Sequence, residues 1–354
     1  MADEISAAVR QVYAPPVKPP GSFSVERMLG TEAVGYYSLG RHALVAALQM
    51  LQVGPGDRVA VPEFICRDLL ASLTSVGASA HYYPVDEKLR MAGDDAGLVG
   101  VKVIIAVNFF GFPQDLTRFE VSSRQTGAVI IEDNAHGFLS RDTDGTPLGR
   151  RAPLGIYSLR KTVQISSGAA LVVNDAALRD RMPVQLEPSL QEQPRSLRFK
   201  QWLRLSVPLV GIVGCRMMTA MTRIARQLKT GHAIQPTRQD SETVISVQPE
   251  PSKWALDRIS QLDESAEIKR RRNLYRLLNA ALPPHGAVPI FDNLPDGTSP
   301  YVFPFRAQEA SMVDIRSRLD KMGLECHRWP DLPAALGGEI NEHYSNVWMV
   351  PFLW

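Results

Sequence analysis

Apolar positions along the chain switch repeatedly between two periods. Leu44, Ala47, Leu48 and Leu51 fall three and four residues apart, which predicts a helix over Arg41 to Gln52, ended by Gly54-Pro55-Gly56-Asp57. Short apolar runs then predict strands at Val59 to Val61, Ser79 to Tyr83, Val101 to Val107 and Gly127 to Glu132, with a helix over Arg67 to Val76. Ala169 to Asp175 is strand-like as well. Strands alternating with helices imply an α/β fold with a mostly parallel sheet covered by helices on both faces. Ahead of this pattern, Pro15-Pro16 and Pro19-Pro20-Gly21 mark residues 1–35 as an irregular N-terminal arm.

Beyond Asp175 the character changes. Between Arg195 and Arg238 there are nine Arg and Lys and no acidic residue, around an apolar stretch from Val207 to Gly214. Three readings fit: a solvated helical face packed on the large domain or a subunit interface, a set of arginines for a diphosphate-linked sugar, or a segment lying on an anionic membrane surface. The first is the plainest, and Pro208, Gly211 and Gly214 argue against one regular amphipathic helix. A linker rich in Pro and Ser follows. Ser252 to about Leu282 reads as one long helix, with Lys269-Arg270-Arg271-Arg272 as its solvated face. Tyr301 to Phe305 reads as a strand and Val313 to Met322 as a helix, giving a small α+β domain. The expected division is an arm at 1–35, a large domain at 36–250 and a small domain at 251–354.

Composition narrows the class. A chain of 354 residues with 45% hydrophobic and 21% charged residues is that of a folded globular protein, and a net charge of +2 gives no general argument for nucleic acid. Cys66, Cys215 and Cys326 are odd in number and far apart, in no metal-ligand spacing, so neither a disulfide framework nor a metal site is expected, and a reducing cytoplasm fits. The start Met-Ala-Asp-Glu lacks the basic and apolar regions of a secretory signal. No apolar run approaches the ~20 residues of a membrane span.

The chemistry lies in two segments. Ile130-Ile131-Glu132-Asp133-Asn134-Ala135-His136 reads as a buried strand delivering a carboxylate to the sheet's C-terminal edge, and Tyr157-Ser158-Leu159-Arg160-Lys161 then delivers a lone lysine. That pair suits pyridoxal phosphate (PLP), which needs an amine for a Schiff base and an anion to keep its pyridine nitrogen protonated. Lys161 and Asp133 are the candidates. Arg160, next door, can lower the amine's pKa by like-charge repulsion. Gly40 opening a helix at Arg41 and His42 suits an anion, because free backbone N–H groups and the helix dipole converge there. Each residue also has an ordinary reading: a strand-end carboxylate for Asp133, a core histidine for His136, a turn serine for Ser158, a buried thiol for Cys66 and a solvated loop lysine for Lys161.

Taken in order, Ser38-Leu39-Gly40-Arg41-His42-Ala43-Leu44, Gly54-Pro55-Gly56-Asp57-Arg58-Val59-Ala60-Val61-Pro62, the Glu-Asp-x-Ala-His segment and Ser-x-x-Lys before a glycine resemble the DegT/DnrJ/StrS family of sugar aminotransferases, fold-type I PLP enzymes. The resemblance runs over roughly residues 35 to 354, including Trp329-Pro330-Asp331-Leu332-Pro333 and Val350-Pro351, and is weak between 185 and 250. It implies Lys161 as the Schiff-base lysine, Asp133 on the pyridine nitrogen, His136 on the ring hydroxyl, Gly40, Arg41, His42 and Ser158 around the phosphate, and Cys66 with Phe64 beside the ring. It further implies a homodimer whose site is completed by a second subunit.

The chain departs from the family in three places. The serine and lysine are separated by three positions where many members have five. Ser166-Ser167-Gly168 replaces a Gly-Asp-Gly-Gly segment. The Asn-x-Arg element that holds the donor carboxylate is absent, the chain reading Glu250-Pro251-Ser252-Lys253-Trp254. The function implied is transfer of an amino group from an amino acid, glutamate by resemblance, to a keto-sugar linked to a nucleotide, for surface polysaccharide or a glycosylated metabolite. The alternatives are a PLP enzyme of different reaction, such as deoxysugar dehydration, in whose relatives a histidine replaces the lysine, and a noncatalytic or regulatory relative that binds a ligand or partner.

Overall fold

The computed structural model describes residues 17–93, 98–190, 195–230, 240–245, 247–337 and 341–353, with Val9, Val12 and Pro15 singly, and gives the backbone alone at 195–210, 229 and 230. Most of residues 1–16 of the expected arm, and 231–238 of the basic segment, lie outside the described residues.

Seven strands form the main sheet: β1 (Val34–Tyr37), β2 (Arg58–Pro62), β3 (Ser79–Tyr83), β4 (Val103–Val107), β5 (Val129–Asp133), β6 (Leu154–Tyr157) and β7 (Ala169–Val173), in the spatial order β1-β7-β6-β5-β4-β2-β3. β3, β2, β4, β5 and β6 are parallel neighbours, while β7 and β1 run antiparallel at one edge. Every residue of β4 is buried, as a continuous apolar run in a central strand requires, and edge strand β3 is only partly covered. The chain leaves β2 outward to β3 and then returns to β4 on the other side. The parallel strands therefore have a switch point between β2 and β4, where crevices open at strand C-termini.

Within residues 17–35 of the arm region lies a short helix, α1 (Val25–Leu29), capped by the Ser24 hydroxyl. Helix α2 (Gly40–Met50) packs on β7, β6 and β1, and α3 (Leu70–Ser75) follows a 3-10 turn at Arg67–Leu69 where the pattern predicted one continuous helix. Helix α4 (Thr117–Thr126) escaped the periodic reading because it buries only Phe119 and Ser122. Its C-cap Gly127, at φ 74°, delays β5 to Val129.

Three expectations are corrected beyond residue 190. Helix α5 (Arg195–Thr230) is a long helix broken at one position, Gly211, with φ 64° and ψ −148°. Its described cations do not all form a solvated face: Arg216 is exposed, whereas the other two are partly covered by ion pairs. Arg223 and Arg226, both partly exposed, pair with Asp320 and Glu325 at 2.6 and 2.8 Å, while Val213, Met217, Met221, Ile224 and Leu228 face outward. The long helix expected over 252–282 is two, α6 (Lys253–Ile259) and α7 (Glu264–Ala281), because Ser252 and Asp263 each cap a fresh start. Arg270, Arg271 and Arg272 are 2%, 1% and 9% exposed rather than solvated. They are stabilised inside by Glu267 and by backbone carbonyls, which a reading of charge alone does not reveal.

A second, antiparallel sheet is ordered β10 (His327–Arg328), β11 (Val347–Pro351), β9 (Val302–Arg306), β8 (Val288–Pro289). Helix α7 packs on β9, and α8 (Glu309–Met322) packs against α5. Among the described residues no helix is long and apolar enough to cross a membrane.

Candidate active site

Strand β5 presents two neighbouring carboxylates to opposite faces, as the pleat dictates. Glu132, fully buried, is taken up on one side: it accepts from Asn108 Nδ2 at 2.8 Å and from Arg151 Nε at 2.8 Å and backbone N–H at 3.0 Å. Asn134 Nδ2 donates to the carbonyls of Gly137 and Leu148, which fixes the turn after the strand. Asp133 faces the other way, into a cavity of about 340 Å³ at the C-terminal ends of β2, β4, β5 and β6. It accepts one N–H, from Ala135 at 2.9 Å, and burial pushes its carboxyl above the usual range.

Lys161 lines the same cavity. It lies in the 3-10 turn Leu159–Lys161 directly after β6, and its N–H donates to Ser158 O. Burial, and then the charge of Arg160, lower its amine to a pKa of about 8. The repulsion expected from Arg160 is therefore present, though burial is the larger cause. Gly168 holds this turn in place: its carbonyl accepts the Arg160 N–H at 3.3 Å, and its own N–H donates to Ser38 O at 2.6 Å. At φ 143° the position is strained for any side chain, and a Cβ would also push Ile165 Cδ1, 2.7 Å away, aside.

Leu39 is the N-cap of α2 and has no side chain able to cap it. The His42 and Ala43 N–H groups turn back to Leu39 O, and those of Gly40 and Arg41 have no partner among the described residues. Gly40 and Arg41 line the cavity beside Ser158, whose Cβ lies 3.9 Å from where a Cβ on Gly40 would be. The arrangement is a ready anion site.

His136 also lines the cavity, sandwiched between Phe110 at 5.7 Å and Tyr301 at 4.8 Å, with Trp329 edge-on at 5.0 Å. Phe110 adopts φ 57°, unusual for a bulky residue, and thereby donates its N–H to His136 Nδ1 at 3.1 Å. Burial holds the imidazole well below its ordinary pKa, so the ring is neutral and its hydrogen sits on Nε2.

Of the sequence-derived candidates, the cavity gathers Gly40, Arg41, Cys66, Asp133, His136, Ser158 and Lys161. Two stand apart. Phe64 is fully buried in a cluster with Phe109, Trp329 and Tyr344. The alternation that paired it with Cys66 fails because β2 ends at Pro62, leaving both residues in irregular chain. The His42 ring turns away and bonds Val247 O at 2.9 Å. Sequence reasoning missed Tyr301, Trp329 and Asp68 as cavity walls. The first two come from the distant second half, with no local signal to mark them.

A model of the DegT/DnrJ/EryC1/StrS aminotransferase family matches residues 25–281. The chain belongs to that family. DegT/DnrJ/EryC1/StrS aminotransferases use PLP. A curated relative, UDP-N-acetyl-3-dehydro-alpha-D-glucosamine 3-aminotransferase of Acidithiobacillus ferrooxidans, is 29% identical over 150 residues, 40% of this chain and 40% of that protein. The match thus spans about two-fifths of the relative's length. A DegT/DnrJ/EryC1/StrS aminotransferase of Brucella abortus shares the fold at a TM-score of 0.62 and 19% identity, over 99% of this chain and 90% of that one. A Streptococcus pneumoniae protein described as a sugar aminotransferase, solved in its PLP form, gives 0.60 and 16% over 100% and 92%.

Proposed function

We propose that this chain is a PLP-dependent aminotransferase that moves an amino group from an amino acid to a nucleotide-linked keto-sugar. The observation that carries the reading is the convergence in one cavity of a near-neutral lysine amine, a buried carboxyl group and an uncapped helix N-terminus. These groups fit the amine, pyridine and phosphate partners that PLP requires. When bound, PLP supplies an aldehyde for amines and a ring that takes up electrons from the carbon beside the nitrogen.

The chain's own residues do the rest. Lys161 would hold the cofactor through its amine and would take the proton from the donor's α-carbon. A pKa of about 8 leaves part of its amines unprotonated for that purpose. Asp133 keeps a proton on the pyridine nitrogen, and the Nε2–H of His136 donates to the ring hydroxyl. The N–H groups of Gly40 and Arg41 and the Ser158 hydroxyl hold the phosphate, with His42 contributing only through the helix it begins. Cys66, whose thiol burial pushes up, lines the cavity and would stand beside the ring. Phe64 backs the wall without touching the cofactor.

Arg160, exposed at the cavity wall, is our choice for the donor carboxylate in place of the missing Asn-x-Arg element. Glutamate as that donor follows from the family resemblance, and the name of the curated relative supports a nucleotide-linked acceptor. We further infer a homodimer. Its support is the outward row Val213, Met217, Met221, Ile224 and Leu228 on α5, since a continuous exposed apolar row favours a contact surface and a second copy offers the same row. Three free, dispersed cysteines support a reducing cytoplasm.

Purified protein mixed with PLP is expected to show a visible absorbance band that borohydride fixes covalently, absent in Lys161→Ala. Glutamate-dependent amination, screened over keto-sugar nucleotides, then identifies the acceptor. A wild-type chain that never develops the band is a noncatalytic relative, and the proposal fails.

A further inference from the structure

The four consecutive cations Lys269 to Arg272 lie on α7, and Arg270 and Arg271 are among the largest fully buried side chains of the described residues. Burying a guanidinium is costly, and apolar replacements of such groups often leave stability unharmed. Arg271 therefore invites the question of what it holds. Its Nε donates to Glu267 Oε1 at 2.6 Å. Nη1 reaches the carbonyls of Pro300 and Tyr301 at 3.2 and 3.1 Å, and Nη2 those of Lys161 and Thr162, both at 3.3 Å.

Those carbonyls belong to two segments far apart in sequence that form facing walls of the cavity. One carries Lys161. The other carries Tyr301, whose ring stacks on His136 and has the Lys161 Nζ 5.6 Å from its centroid. Arg270, bound to the same glutamate, donates to Phe352 O at 2.8 Å, between cavity-lining Pro351 and Leu353. One buried carboxylate thus anchors two planar forks that grip three pieces of the cavity wall. A lysine, with a single charged point, cannot span both pairs of carbonyls at fixed spacing.

We propose that Arg271, oriented by Glu267, is a positioning residue: it sets where the Lys161 amine stands relative to the Tyr301–His136 stack. It touches no reacting atom and acts through the backbone of residues 161–162 and 300–301. The proposal rests on the reading of Lys161 as the cofactor's lysine.

The test is Arg271→Lys beside Arg272→Lys. Arg272 is also buried and also binds carbonyls, those of Pro295, Asp296 and Thr298, none of them in a cavity-lining residue. In the cofactor-free proteins, amide hydrogen exchange over residues 159–165 is expected to quicken at least ~10-fold in Arg271→Lys and to stay within about 2-fold of wild type in Arg272→Lys. With PLP, visible circular dichroism of the lysine-bound band should fall about 3-fold or more, and kcat about 10- to 100-fold, with KM for the amino acid nearly constant, in Arg271→Lys alone. If Arg271→Lys does not fold, Glu267→Gln carries the same comparisons, because it keeps the shape and frees the guanidinium. A wild-type band with Arg271→Lys matching wild type, or with Arg272→Lys matching Arg271→Lys, overturns the positioning role and leaves the cofactor reading intact. A wild-type chain with no band that depends on Lys161 overturns both.

Discussion

Arg160→Gln tests the electrostatics of the lysine directly. The Lys161 amine sits at about 8 rather than 10.5, with burial and then Arg160 pushing it down while Asp133, Cys66 and Asp68 pull it up. At pH 7 a pKa of about 8 leaves roughly one amine in ten neutral, against about one in three thousand for an ordinary lysine. Repulsion between two neighbouring cations in partly solvated surroundings is on the order of 1 kcal/mol. Removing it raises the amine's pKa by roughly 0.5–1 pH unit. The assay is the rate at which cofactor-free protein develops the visible band with PLP, measured from pH 6 to 11 without any amino donor. Wild type is expected to give a midpoint near 8. Arg160→Gln should give one nearer 8.5–9, with a rate at pH 7 lower by about 3- to 10-fold and convergence of the two curves above pH 10. An unmoved midpoint refutes the role of Arg160, and a wild-type midpoint near 10.5 refutes the burial argument itself.

Three further outcomes follow from the same geometry. Lys161→Met removes a buried cation, so it should abolish the band yet raise the melting temperature of the cofactor-free protein by about 2–4 °C, read by calorimetry. Glu267 is held at about 2 by Arg270 and Arg271 against the opposing effect of burial. Its folded pKa lies below its unfolded one, so its contribution is complete above pH ~4.5 and is lost as pH falls toward 2. Acid titration of stability should therefore lose up to roughly 3 kcal/mol over that window, and Glu267→Gln should flatten this part of the curve while lowering stability at neutral pH. Met221→Glu, in the middle of the outward apolar row, should convert a dimer to a monomer in sedimentation analysis with no change in far-UV circular dichroism. A wild-type chain that already sediments as a monomer removes that row as a subunit contact.

Local signals made much of the large domain legible. An apolar run such as Val103–Val107 can be buried only as a central strand, and Asp133 at the end of β5 follows from alternation along the strand. All nine proposed site residues sit close to the glycine-led helix or to the ends of β2, β5 and β6, within reach of such reasoning, and seven of them line the cavity. Phe64 was misread because alternation was carried past the last paired residue of β2. The Arg270–Arg272 run was misread for a different reason. Charge patterning assumes that water is the cheapest partner for a cation, and α7 supplies Glu267 one turn earlier and carbonyls from 295 to 301, brought in only by tertiary packing. Tyr301 and Trp329 belong to the same category, since nothing within their own segments says what they face.

The stretch before α6 also bears on the anion wall. Ser38 N–H donates to Pro249 O, the Ser38 hydroxyl to Gln248 O, and the His42 ring meets Val247 O. Residues 247–249, on the chain's way from the main sheet to the antiparallel one, are therefore strapped to the loop that starts α2. A protease nick in this strap would leave two fragments still packed together, yet with the loop proposed to hold the phosphate unbraced. Limited digestion should accordingly cost cofactor retention well before it costs compactness.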